Sequence, residues 1–119
     1  MAYTEPFDVI DEKTRDISRA IASLREELEA IDWYNQRVNT TTDQELKEVM
    51  AHNRDEEIEH AVMTFEWLRR NMAGFDEDMK TYLFTEGSLL EVEEQATGSE
   101  GTAPHAGPKS GMTIGNLKK

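Results

Sequence analysis

The chain has 119 residues, 37% hydrophobic and 32% charged, which is enough for one small domain with a modest core and too little for two. Its formal net charge of -12 repels phosphate backbones and anionic lipid, so nucleic acid and membrane surfaces are poor partners, while divalent cations are good ones. Cysteine is absent, which excludes disulfides, thiolate nucleophiles and zinc–thiolate sites, and no basic leader or apolar run of membrane-spanning length (~20 residues) occurs, the pattern of a soluble, cytosolic chain.

From about Asp8 to Val38 there is no proline or glycine, and Ile17, Ile21, Leu24, Leu28 and Ile31 recur at spacings of four and three, which predicts a helix with one apolar seam. Asn39 to Asp43 breaks the pattern with residues that bond their own backbone, and Thr42 or Asp43 can cap the next element. A second helix is expected from about Asp43 to Met72, with Gly74 marking its end. Its seam reads Leu46, Met50, Asn53, Glu57, His60, Thr64 and Trp67, polar in the middle. So short a connection between long helices dictates an antiparallel hairpin. Phe75 to Thr85 reads as a short third helix, and Ser88 as the cap of a further turn or two through Glu94. These pieces are too short to complete a four-helix bundle within one chain.

The expected fold is therefore all-α: a two-helix hairpin plus a short C-terminal helix over residues 1–95, pairing with a second copy into a ferritin-like four-helix bundle. From residue 96 the composition turns to Ala, Gly, Thr, Ser and Pro without periodicity, a flexible linker to residue 109. Residues 110–119 bring apolar side chains back, with Met112, Ile114 and Leu117.

An ionised carboxylate in a buried seam costs several kcal/mol unless it is paired, and Glu57 and His60 stand in successive slots of that seam. A bound cation removes the cost, because residues at i and i+3 share a helix face and present a carboxylate oxygen and an imidazole nitrogen to one ion. The competing reading is a buried polar pair that fixes helix register. Glu27 borders the seam of the first helix. With a rise of about 1.5 Å per residue it sits roughly 21 Å from the turn, against about 24 Å for Glu57 and 28 Å for His60. Cβ atoms tilt toward a helix's N-terminus, so Glu27 leans away from the turn and the other two lean toward it, and the three converge. One Glu facing a Glu-x-x-His motif is half the ligand set of a di-iron carboxylate bundle, and a two-fold dimer of hairpins supplies the rest. Tyr34 lies one heptad after Glu27 on the same face, beside Trp33. Glu26 and Glu29 read as surface charge or as guides for an incoming ion.

Glu26-Glu-Leu-Glu-Ala-Ile-Asp-Trp-Tyr34, His52-Asn-Arg-Asp-Glu-Glu-Ile-Glu-His60, Phe65-Glu-Trp-Leu-Arg-Arg70 and Thr81-Tyr-Leu-Phe-Thr-Glu86 strongly resemble the encapsulated ferritins, over most of residues 8–94. The resemblance implies a ferroxidase that oxidises Fe(II) at a di-iron centre between two chains, in dimers that assemble into a ring-shaped decamer without a storage cavity of its own. It places iron ligands on Glu27, Glu57 and His60, nearby aromatic residues on Trp33 and Tyr34, and iron-uptake glutamates on Glu26 and Glu29. Met112-Thr-Ile-Gly-Asn-Leu-Lys-Lys119 is similar to the peptide by which cargo docks inside encapsulin nanocompartments, with Asn116 and the Lys pair where Ser and Arg are commoner. An encapsulin shell protein is thus the implied partner, and the shell lumen, in the cytoplasm, the implied location. A short extended peptide offering Met112, Ile114 and Leu117 to apolar pockets suits that docking.

Overall fold

The computed structural model describes residues 3–98. Among them every regular element is helical: a single 3-10 turn at Phe7–Val9, α1 at Glu12–Thr40, α2 at Gln44–Asn71, α3 at Ala73–Tyr82 and α4 at Leu89–Glu93, followed by a wider helical turn at Glu94–Gly98. The chain divides into two compact units that meet at Ala73 and Gly74.

The first unit is the antiparallel hairpin of α1 and α2. The side chain of Asp11 starts α1 by accepting from the Thr14 amide at 2.8 Å, and Asp43 starts α2 by accepting from the Leu46 amide at 2.8 Å. Between them only residues 41–43 are non-helical, fewer than the five expected, because α1 continues through Thr40. There the Thr40 hydroxyl donates to Gln36 O, and the Thr41 hydroxyl accepts from the Asp43 amide. At the far end of α2, Glu66 takes a two-pronged pair from Arg69 at 2.8 Å and a further 2.8 Å bond from Arg70. These bonds hold its carboxyl at about 2, well below the ordinary 4.5.

The core is thin. Among the described residues the buried hydrophobic side chains are Leu24 of α1 and Ala61 and Leu68 of α2. This corrects the expected seams. On α2 the line that meets α1 runs through Arg54, Ala61 and Leu68, spaced seven apart, while Leu46 and Trp67 of the expected seam stay exposed, as does Leu28 on α1. A small residue at Ala61 lets the two helices approach, and that approach selects the face of α2 that turns inward. Hydrogen bonds cross the hairpin from Lys13 Nζ to Asn71 Oδ1 at 2.7 Å and from Arg54 Nη1 to Asn35 Oδ1 at 3.0 Å. Before α1, Arg15 ties down the N-terminal turn: its guanidinium lies 3.6 Å from the Phe7 ring centroid and donates to Phe7 O.

Gly74 does not end α2. The break falls at Met72, whose backbone is extended (φ -136°, ψ 113°), and Gly74 lies in the first turn of α3. In the second unit α3 ends two residues before Phe84, which has φ 63°. A non-glycine residue there carries strain of about 1–3 kcal/mol. Gly87 (φ 88°) makes the next bend, and Ser88 caps α4 by accepting from the Glu91 amide at 3.3 Å. The described helical turns run on to Gly98, so residues 96–98 of the expected linker are wound. The rest of that linker and the C-terminal peptide, with Met112, Ile114 and Leu117, lie outside the described residues. No described helix is long and apolar enough to cross a membrane.

Candidate metal centre

These bonds across the hairpin set the register on which any shared site depends. Facing residue numbers add to 84 at Lys13–Asn71 and to 89 at Asn35–Arg54. Residues opposite Glu27 therefore fall between 57 and 62, a window that holds both Glu57 and His60. The levels expected from helix rise alone are close to this.

On α2, Glu57, His60, Thr64 and Trp67 follow one another at three and four, flanking the inward line of Ala61 and Leu68. On α1, Ala20, Ser23, Glu27 and Tyr34 flank the inward line of Leu24 in the same way. A shallow groove lined by Arg19, Ala20, Ser23, Met63, Thr64 and Trp67 joins the two flanks, so they belong to one face of the hairpin. That face is open: His60 is 48% exposed at its side chain and Glu57 28%.

Glu57 and His60 are neighbours, with Nδ1 of His60 3.5 Å from Oε1 of Glu57. In the single chain Glu57 is half-buried and His60 exposed. Glu27 behaves differently. Its side-chain Oε1 is buried and has no hydrogen-bond partner. A carboxylate oxygen stripped of water and donors is costly. Yet within one chain, among the described residues, no three His, Asp or Glu side chains come close enough to hold a metal ion. Glu57 and His60 meet on α2, while Glu27 lies on the facing helix without joining them in such a group.

The remaining residues singled out by sequence are more peripheral. Glu26 and Glu29 are exposed on the outer side of α1. Trp33 is exposed and lines a shallow recess with Gln36 and Arg37, away from the Glu27 line. Tyr34 is on the site face, half-buried, with the Arg37 guanidinium 5.6 Å from its ring centroid. Sequence reasoning passed over Glu56, whose two oxygens lie 3.9 Å from His52 Nε2 and 4.0 Å from His60 Nε2. The i, i+4 spacing His52–Glu56–His60 was the signal for it. Arg54, which pins the hairpin one turn before Glu57, was also missed, because an Arg on an inward line reads as a violation of pattern.

The profile of the EncFtn-like family matches residues 2–86. The chain belongs to this family, the encapsulated ferritins. Among its relatives, an encapsulated ferritin-like protein of Rhodospirillum rubrum is 50% identical over 120 residues, 96% of this chain and 86% of the relative. An encapsulin nanocompartment cargo protein of Myxococcus xanthus is 32% identical over the full length of both. A crystal structure of a Nitrosomonas europaea protein, 56% identical, superposes with a TM-score of 0.72 over 75% of this chain and 99% of that one. The helical fold agrees with the solved neighbour.

Proposed function

We propose that the chain is one half of a ferroxidase, whose Fe(II) substrate is bound between two copies by Glu27, Glu57 and His60 of each. The buried, unpartnered Oε1 of Glu27 supports this reading: a cation would satisfy it, and it lies at the level of a Glu57–His60 pair that is 3.5 Å apart and open on the side where a second hairpin would dock. Two-fold pairing on that face doubles the donor set to four carboxylates and two imidazoles, the complement of a di-iron site.

In this arrangement His60 offers one ring nitrogen to the metal. The carboxylates supply hard oxygen donors that favour Fe(III) over Fe(II), which lowers the cost of giving electrons to dioxygen or peroxide. Glu26 and Glu29, exposed near Glu27, raise the local concentration of incoming cations. Tyr34, two turns beyond Glu27 on the same face, would flank the site, while Trp33 lines a recess away from it.

Copies paired on the site face still leave Leu28, Ile58 and Val62 exposed on the other flank of the hairpin. A second contact there supports the closure of dimers into a ring, the decamer implied by the family resemblance. The C-terminal residues Met112, Ile114 and Leu117 dock the assembly to the inner wall of an encapsulin shell, which stores the oxidised iron. The names of the relatives support this reading.

Glu57→Ala and His60→Ala are expected to bring Fe(II) oxidation in air down to the uncatalysed background while helix content is unchanged. Rates equal to the parent protein at equal folding would rule the ferroxidase out. Co-expression with a cognate shell tests the tail separately: removal of residues 110–119 should abolish encapsulation, and undiminished loading would refute that role.

A further inference from the structure

The end of α3 is built in a way its residues do not favour. The Leu83 amide still donates to Met79 O at 2.9 Å, and the next residue, Phe84, turns left-handed at φ 63°. That position just past a helix end is usually glycine, because a Cβ there crowds the backbone. The Thr85 hydroxyl holds the bend by donating to Tyr82 O at 2.6 Å. A bulky aromatic is tolerated in such a place when packing of its ring offsets the strain. The Phe84 ring has no such packing, since the residue is 103% exposed. Leu83, Leu89 and Leu90, around the same bend, are also exposed. Strain and an uncovered aromatic coincide on one residue, and nothing among the described residues compensates for either.

We infer that Phe84 is an interface anchor, its ring held out by the left-handed bend for burial against a second copy of this chain. Area points to a second copy. One aromatic side chain covers about 150–250 Å², and with three leucines the patch stays below the ~800 Å² per partner of a free-standing complex. It acts as an addition to an interface that already brings another molecule alongside. The hairpin is the surface in need of such a neighbour, because among its hydrophobic side chains only Leu24, Ala61 and Leu68 are buried. A rigid aromatic with two rotatable bonds is the side chain best suited to an anchor. The inference rests on the self-association proposed above and not on the iron chemistry.

Full-length Phe84→Gly, Phe84→Ala and Phe84→Trp test it. Glycine relieves the bend while it deletes the ring. Phe84→Gly should therefore keep its helix content and raise the dissociation constant of the assembly by about tenfold or more, read by sedimentation over a dilution series. Phe84→Ala should weaken assembly alike, and Phe84→Trp should preserve it. Phe84→Gly with the parent dissociation constant overturns the inference. A benzophenone amino acid at position 84 then names the occupant. Cross-links at the mass of two chains are expected in the purified protein, and their absence, or cross-links to another protein only, overturns the assignment. Fe(II) oxidation in the same samples separates the two readings. Parent-like oxidation with parent-like assembly of Phe84→Gly sinks this inference alone, whereas weakened assembly of that variant with no oxidation by the parent protein sinks only the metal centre.

Discussion

Glu27 and Leu68 show how differently a flanking and an inward position of one hairpin are used. Leu68 is fully buried, and Leu68→Ala should cost about 2–5 kcal/mol, read as a lower melting temperature by circular dichroism. Glu27 instead buries an unpartnered oxygen, so in metal-free protein its charge is a liability. Glu27→Gln should raise the melting temperature without metal and weaken Co(II) or Fe(II) binding by about tenfold or more in a titration. A variant that melts lower and binds metal normally would assign Glu27 a structural role. The sequence picked out Glu57 and His60 through i, i+3 spacing, and their side chains do meet. It could not tell that Glu27 would be half-buried with one oxygen out of water and His60 exposed, because accessibility depends on which face of α2 rolls inward.

At the scale of elements, both long helices begin on an aspartate cap and end on bonds from their own last turn. Asp11→Ala and Asp43→Ala should each cost about 1 kcal/mol, measured by denaturant unfolding. The hydrogen bonds from Thr14 also lower the Asp11 carboxyl below its ordinary value, so protonation weakens the same cap. Glu66 gives the clearest pH dependence. Arg69 and Arg70 depress it from 4.5 to about 2, so its contribution is complete above about 4.5 and is lost as pH falls toward 2. Acid unfolding of Glu66→Gln, followed by ellipticity, should therefore lose the part of its pH dependence that lies between those values. The caps at Asp43 and Ser88, the hairpin and the short third and fourth helices were legible, because each depends on neighbours within one turn, whereas the Asp11 cap was not singled out. The helix break was not. Gly74 marked the right neighbourhood, but the break came at Met72, whose extended backbone no local preference of methionine foretells.

For the whole molecule the decisive quantity is how little one copy buries. A hairpin with so few buried side chains should gain stability on association, so its melting temperature should rise with protein concentration, with a shift visible over a hundredfold dilution series. A concentration-independent melt would mean that the single chain is self-sufficient. The sequence by itself determined the all-helical class, the caps at Asp43 and Ser88, the pairing of Glu57 with His60 and the encapsulated-ferritin resemblance, since all of these are carried by local spacing or by residue identity. Only the tertiary structure decided that Ala61 and Leu68, rather than Trp67 or Leu46, face α1, that Glu27 Oε1 is buried without a donor, and that Phe84 stands strained and uncovered. Helical periodicity defines a stripe along α2 but leaves open which edge of it packs inward. That choice is made by how closely two backbones can approach, and it is what leaves the carboxylate and imidazole edge open.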